Sequence, residues 1–210
     1  GGGGGGGVGG GGLGVGRWRG GGLEVGGGRL EGVGRYWVSP RTLGFVVDGE
    51  RVLLLRGAPT KRLWANRLNG VGGHVEPGED IYTAALREVQ EETGLEVQGL
   101  RLRGVVHVAP YPAQGTGSPD VGVMMFIFTA ALAGGALRAS VEGVLEWHPI
   151  ADVCRGAIPD LMDDLQLLLP RALTARAPFM AHMTYDADGT VNLTRPRSGT
   201  PRSLPRTRHV

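Results

Sequence analysis

The chain is 210 residues long, with 22 basic and 20 acidic residues, 40 glycines and a single cysteine; this fits one ordinary domain with tails, excludes an internal disulfide and suits a reducing, cytoplasmic compartment. Its formal charge of +2 is uneven: residues 1–34 hold three arginines and two glutamates, residues 195–210 hold five arginines and no acid, and the remainder, with 14 basic and 18 acidic side chains, is near −4. That core gives no basis for a nucleic-acid-binding face or a stable nucleic-acid partner, and no apolar run is long enough to span a membrane.

Residues 1–34 contain 21 glycines. Such a segment buries too little side chain to offset its ordering entropy, so no regular structure is expected there. The first methionine is Met124, yet a domain begins near Val38. Residues 1–37 are therefore expected to be translated upstream sequence, with Val38 as an alternative start. Residues 42–47 and 51–56 are β-prone apolar runs around Asp48-Gly49, a hairpin signal. Residues 80–93 lack Gly and Pro and are followed by Gly94, so a capped helix is expected. Residues 97–109 alternate loosely as one or two strands, and residues 121–130 form a nearly continuous apolar run suited to a buried central strand. Between them, residues 110–120 are rich in Pro and Gly and read as a surface loop able to border a site. Residues 145–150 make another short strand. Leucines at 161, 165, 168, 169 and 173 give an amphipathic helix over 160–174, which Pro170 should bend or end early. Residues 179–185 and 191–193 close as a hairpin around Asp188-Gly189. The expected domain spans 38–194, and 195–210 form a solvated basic tail.

The helix over 80–93 carries the chemistry. Ile81, Ala85 and Val89 make a buried stripe, while Glu88, Glu91 and Glu92 share another face at i, i+3 and i+4. Each like-charged pair at that spacing costs roughly 0.2–0.5 kcal/mol. Glu91 and Glu92 also lie near the helix C-terminus, where the macrodipole disfavours them. A bound cation would relieve both penalties. Carboxylates with a nearby backbone carbonyl are hard oxygen donors suited to Mg²⁺ or Mn²⁺. Before the helix, residues 69–73 can bring their backbone close to a ligand, and residues 76–79 turn tightly into it.

Gly73, Glu79, Arg87, Glu88, Val89, Glu91, Glu92, Gly94 and Leu95 fill every defined position of the Nudix box with its spacing intact, so the chain resembles the Nudix hydrolases. The resemblance implies an α+β fold with a mixed β-sheet sandwiched between helices. It also implies hydrolysis of a diphosphate bond in a nucleoside diphosphate derivative. By position, Glu88, Glu91 and Glu92 correspond to metal-binding glutamates and the carbonyl of Gly72 to a further ligand. Arg87 and Glu79 correspond to the ion pair that orients them. The general base varies in this family. Glu142, in the loop before Glu146-Trp147, is the first candidate, with Glu92 and Asp120 as alternatives.

The stretch from Asn69 to Gly73 resembles the base-reading segment of MutT-like enzymes, with Leu68 where those carry an aromatic residue. Asp163 and Asp164 resemble the paired acids that read a purine there, although an acidic helix start explains them equally well. The expected substrate is a purine nucleoside triphosphate, oxidised forms included, cleaved to monophosphate and pyrophosphate. ADP-ribose or another nucleoside diphosphate sugar is the alternative, cued by Pro110 fifteen residues beyond Leu95. An RNA end, held by the basic tail, ranks lower, as does a non-catalytic sensor module, since such modules commonly lose box glutamates and this chain keeps them all. A homodimer is an assembly open to such a domain.

Overall fold

The computed structural model describes residues 36–61, 64–110, 121–138, 141–186 and 188–195, with the backbone of three short strands nearer the N-terminus. The chain divides into two compact units, Gly1–Tyr36 and Trp37–Val210. In the first, β1 (Trp18–Arg19), β2 (Gly22–Val25) and β3 (Gly28–Arg29) pair antiparallel in that order. No regular structure is expected there from composition. Main-chain pairing over two to four residues requires no buried side chain, which is why composition does not report it.

The second unit is built on one mixed sheet. Its strands are β4 (Trp37–Asp48), β5 (Arg51–Gly57), β6 (Leu68–Asn69), β7 (Leu95–Val108), β8 (Val121–Gly135), β9 (Gly143–Pro149), β10 (Phe179–Tyr185) and β11 (Val191–Thr194). They run in the order β11-β10-β7-β8-β4-β5-β6, with β9 also on β5. The β4–β8 and β7–β10 pairs are parallel and the rest antiparallel. Side chains alternate between two cores: Val52 and Leu54 of β5 face one, Leu53 the other.

Helix α1 (Ile81–Thr93) covers one face through Val89, packed with Val46 and Leu53, and Ala85, packed with Phe128 and Ala130. Helices α2 (Ile150–Cys154) and α3 (Leu165–Thr174) contribute Val153, Leu165, Leu168 and Leu169 to the core on the other face. Each such fully buried side chain contributes about 1.5–3 kcal/mol, several times an exposed i,i+4 ion pair, so these apolar stripes set where the helices lie. Among the described residues, no helix is long and apolar enough to cross a membrane.

Asp80 caps α1, its Oδ1 accepting from the N–H groups of Tyr82 and Thr83 at 2.8 and 3.0 Å, and Gly94 ends it at φ 71°. Helix α3 differs from its sequence pattern. It starts at Leu165, because Leu161 instead pairs with Leu68 as a parallel bridge, with Leu68 N–H donating to Asp160 O and Met162 N–H to Leu68 O. It then passes through Pro170 without ending and stops at Thr174. Residues 97–109 are one continuous β7 with register shifts rather than two strands, and β8 runs on to Gly135 against Leu95.

The sheet opens beside the box. β4 and β5 pair only at Val47–Val52 and Asp48–Arg51. Beyond that, the glycine loop lies along β4: Gly44 N–H donates to Val71 O at 2.6 Å, Thr42 N–H to Gly73 O at 2.8 Å and Val75 N–H to Pro40 O at 3.1 Å. Gly72, at φ 149°, admits no side chain, since a Cβ there would collide with the Thr42 carbonyl. Two separated strands with a loop between them leave a cleft.

Candidate active site

The cleft holds about 640 Å³ and is open to solvent. From α1 it receives Glu88, Glu91 and Glu92; from the glycine loop, Gly72, Gly73 and His74; from β6, Asn69. Glu142 and Asp164 line it too. Sequence positions 69 to 164 thus converge on one space. Of the predicted residues, Arg87 and Glu79 stand behind the glutamates, Asp163 points elsewhere, and Asp120 lies outside the described residues.

Arg87 organises the helix side. Its Nε and Nη2 donate to Glu79 Oε2 and Oε1 at 3.1 and 2.7 Å, Nη2 also to His74 O at 3.0 Å, and Nη1 to Glu88 and Glu91 at 3.0 and 3.1 Å. The forked guanidinium ties loop to helix. It holds the Glu79 carboxyl below its usual range, helped by the Glu76 N–H, while these carboxylates raise its own pKa. Arg87→Ala removes every one of these bonds and leaves three carboxylates facing one another. The expected result is a loss of turnover of about 10–100-fold, as for other partners of metal-binding side chains, with a lower urea midpoint. Equal midpoints for the two proteins would show that the pair is fully solvated.

Glu88 and Glu92 are pushed upward in pKa, chiefly by burial and further by neighbouring carboxylates. Glu92, 7% exposed, reaches about 7 even though its Oε2 accepts from Gly72 N–H at 2.9 Å. Glu88 fills the space over Gly73, where a Cβ would strike its carboxylate. Among the described residues, no three acidic, histidine or cysteine side chains converge on one ion-sized position. Two of the glutamates turn instead to Arg87 and one to the loop. Their chemistry nevertheless fits a hard divalent cation: three oxygen donors on one helix face, crowded enough to oppose their own ionisation.

The opposite wall is shaped by contacts that sequence does not reveal. Glu142 pairs with Lys61, which also lies 5.6 Å from the Trp64 ring, and both line the cleft. Arg56 donates to Glu146 at 2.5 and 3.2 Å and to the Asn66 carbonyl at 2.9 Å, fixing β5, β9 and the approach to Asn69. The Asn69 side-chain oxygen accepts from Gly70 N–H at 2.8 Å, and the residue lines the cleft with its NH₂ donors not hydrogen-bonded among the described residues.

Asp163 and Asp164 part company. Asp163, with a side chain 55% exposed, accepts from Arg67 at 3.0 Å. Asp164 is 5% exposed and lines the cleft. It makes no side-chain cap bond to α3, and its Oδ1 is buried with no partner among the described residues. Burial first, then the Asp163 charge, pushes it up to about 6. The backbone N–H groups of Asp164 and Leu165 offset part of this rise, but they leave Oδ1 without a partner among the described residues.

Residues 38–171 match the NUDIX domain family model. The chain is 31% identical over 150 residues to mouse oxidized purine nucleoside triphosphate hydrolase, covering 71% of this chain and 88% of that protein. It is 28% identical over 118 residues to NAD-capped RNA hydrolase NudC of Pseudomonas putida, covering 55% of this chain and 38% of that one. The crystal structure of a MutT protein from Bacillus halodurans superposes with a TM-score of 0.58 at 28% identity, covering 74% of this chain and 97% of that chain. With the box helix, the glycine loop and the split sheet in place, the chain belongs to the NUDIX family and is a MutT-like Nudix hydrolase.

Proposed function

We propose that the chain hydrolyses a purine nucleoside triphosphate, oxidised forms included, to the monophosphate and pyrophosphate. The observation that carries this reading is the buried, unpartnered Oδ1 of Asp164, in the same cleft as the NH₂ of Asn69 and the box glutamates. A buried acceptor without a partner is costly unless a ligand supplies the donor. A purine edge with a carbonyl beside a ring N–H matches one donor and one acceptor. The mouse relative's name and the fold shared with a MutT protein support the same substrate class.

Glu88, Glu91, Glu92 and the Gly72 carbonyl would hold Mg²⁺ or Mn²⁺. Bound there, the cation would polarise the phosphoryl oxygens and lower the pKa of a bound water. The protein's part is to position and to move a proton. With a cation bound, Glu92 would be held ionised as one of its ligands. Glu142 would then accept the proton of the attacking water; its ion pair with Lys61, in the same cleft, supports that role. Water adds across one phosphoric anhydride bond; one phosphate stays on the nucleoside and two leave together.

Asn69→Ala tests the base reading. Loss of one hydrogen bond to a neutral base edge is worth about 0.5–1.5 kcal/mol, up to roughly tenfold in affinity. KM for the preferred purine nucleotide should rise by that factor, with a much smaller change for a matched pyrimidine nucleotide and no change in the metal requirement. An equal loss on both would remove base reading and favour a nucleoside diphosphate sugar held through phosphate and ribose.

A further inference from the structure

Arg41 has no role in the reading above, yet its environment is unusual. It lies on β4, its backbone bridged to His74 of the glycine loop, and its side chain lines the cleft. Among the described arginines that make no hydrogen bond or ion pair, it alone is not exposed; Arg101, Arg138, Arg176 and Arg195 all face solvent. Burial lowers its pKa, and the fields of Glu88 and Glu92 only partly oppose this. Those carboxylates are near enough to act on it through space but are bonded to Arg87 and to Gly72 N–H instead. A half-buried guanidinium with five unused donors is a standing cost. His74, beside it, is driven toward its neutral form by burial and by the Arg41 charge, so it adds no second positive charge there.

We infer that the Arg41 guanidinium is a phosphate-binding residue, donating to non-bridging oxygens of the substrate's diphosphate group and retaining the pyrophosphate product. The chemistry follows from the two walls of the cleft. A diphosphate reaching the glutamate face through cations presents its remaining anionic oxygens to the rest of the cleft, where Arg41 supplies a planar fork that matches them. An ammonium would supply the charge without the fork. The competing role is that of a fixed counter-charge to Glu88 and Glu92, which would stabilise the metal-free site and oppose the cation.

This inference rests on reading the cleft as the site of diphosphate hydrolysis, but not on the purine. The test is calorimetric titration of inorganic pyrophosphate into the full chain at saturating Mg²⁺, for wild type, Arg41→Gln and Arg41→Lys. Circular dichroism checks each fold. Charge-assisted hydrogen bonds to one phosphate correspond to roughly 10–100-fold in affinity. Arg41→Gln should therefore bind pyrophosphate 10–100-fold more weakly, with Arg41→Lys in between; a fall in the Mg²⁺ concentration for half-saturation with unchanged pyrophosphate affinity is the counter-charge result and overturns the inference. If Arg41→Gln fails to fold, an Arg41→Lys affinity equal to wild type overturns the inference. Equal pyrophosphate affinity in wild type and Arg41→Gln overturns it, as does a wild type that binds no pyrophosphate with Mg²⁺. Failure of the purine reading would look different: Asn69→Ala would lose its purine selectivity while pyrophosphate binding still depended on Arg41.

Discussion

Glu91→Gln should lower turnover by on the order of 100-fold or more, above the 10–100-fold typical of losing an outer partner of a metal site, while the metal-free protein unfolds at the same temperature or higher. The two halves of this expectation have one cause. Glu91 lines the cleft, has a side chain 60% exposed and bonds Arg87 at 3.1 Å. It packs into no core, so its loss leaves no cavity. Glu88 lies three residues before it on the same helix face, and removing the Glu91 charge relieves that i,i+3 repulsion, worth a few tenths of a kcal/mol. The weakened Arg87 bond offsets part of that, since an exposed i,i+4 pair contributes little. A residue that costs stability without metal and is needed for turnover is placed for ligation. Near-wild-type turnover, or a sharply lower melting temperature without metal, would take Glu91 out of that role.

Asp164→Asn should separate stability from function at the far wall. In the folded chain Asp164 titrates near 6, against 3.8 for an ordinary aspartate. Its folded pKa is raised, so its contribution to stability is fully present below about pH 4 and is lost as pH rises through 6. At pH 8 the folded protein therefore holds an unfavourable buried charge, on the order of 2–3 kcal/mol at 1.36 kcal/mol per pKa unit. Asparagine removes that charge. The variant should be more stable than wild type at pH 8 by about that amount, and nearly equal to it at pH 4. Glu79, Asp80 and Glu146, whose pKa values are depressed by hydrogen bonds, act in the opposite sense on both proteins and cancel in the comparison. The same change puts a donor where the purine offers one, so kcat/KM for the preferred purine nucleotide should fall roughly 10–100-fold, the cost of losing a hydrogen bond to a charged group. Chemical denaturation at the two pH values and steady-state kinetics read both effects. A variant no more stable at pH 8, or one with unchanged purine kinetics, would show that the carboxylate is not the unpartnered acceptor of the cleft.

The parts of this site that sequence reveals are those that are contiguous in it. Residues 73–95 hold the loop, the turn, the helix and its Gly94 cap, and the spacing of Glu88, Glu91 and Glu92 puts them on one face whatever the rest of the chain does. The far wall depends on contacts between distant residues. Leu161 pairs with Leu68 across the sheet, delaying α3 by five residues and sending Asp163 outward and Asp164 inward. No local pattern distinguishes two adjacent aspartates until that bridge is known. Arg56 meets Glu146 from 90 positions away, and Lys61 meets Glu142 across a similar gap. Arg41 carries a weak local signal, a charge next to the apolar run of β4. Its meaning comes only from the lack of a partner. Strand extents were also partly hidden: the Ala- and Gly-containing end of β8 has little β propensity and is held by pairing with Leu95–Val97.

The most direct test of purine nucleoside triphosphate hydrolysis at this cleft is product analysis with Mg²⁺ across a panel: oxidised and normal purine nucleoside triphosphates, a pyrimidine counterpart, ADP-ribose, dinucleoside polyphosphates and triphosphorylated RNA. The expected result is Mg²⁺-dependent release of nucleoside monophosphate and pyrophosphate, with the highest kcat/KM on a purine triphosphate, lost in EDTA and in Glu91→Gln. Higher kcat/KM on ADP-ribose or RNA, or release of orthophosphate instead of pyrophosphate from the purine triphosphates, would contradict it.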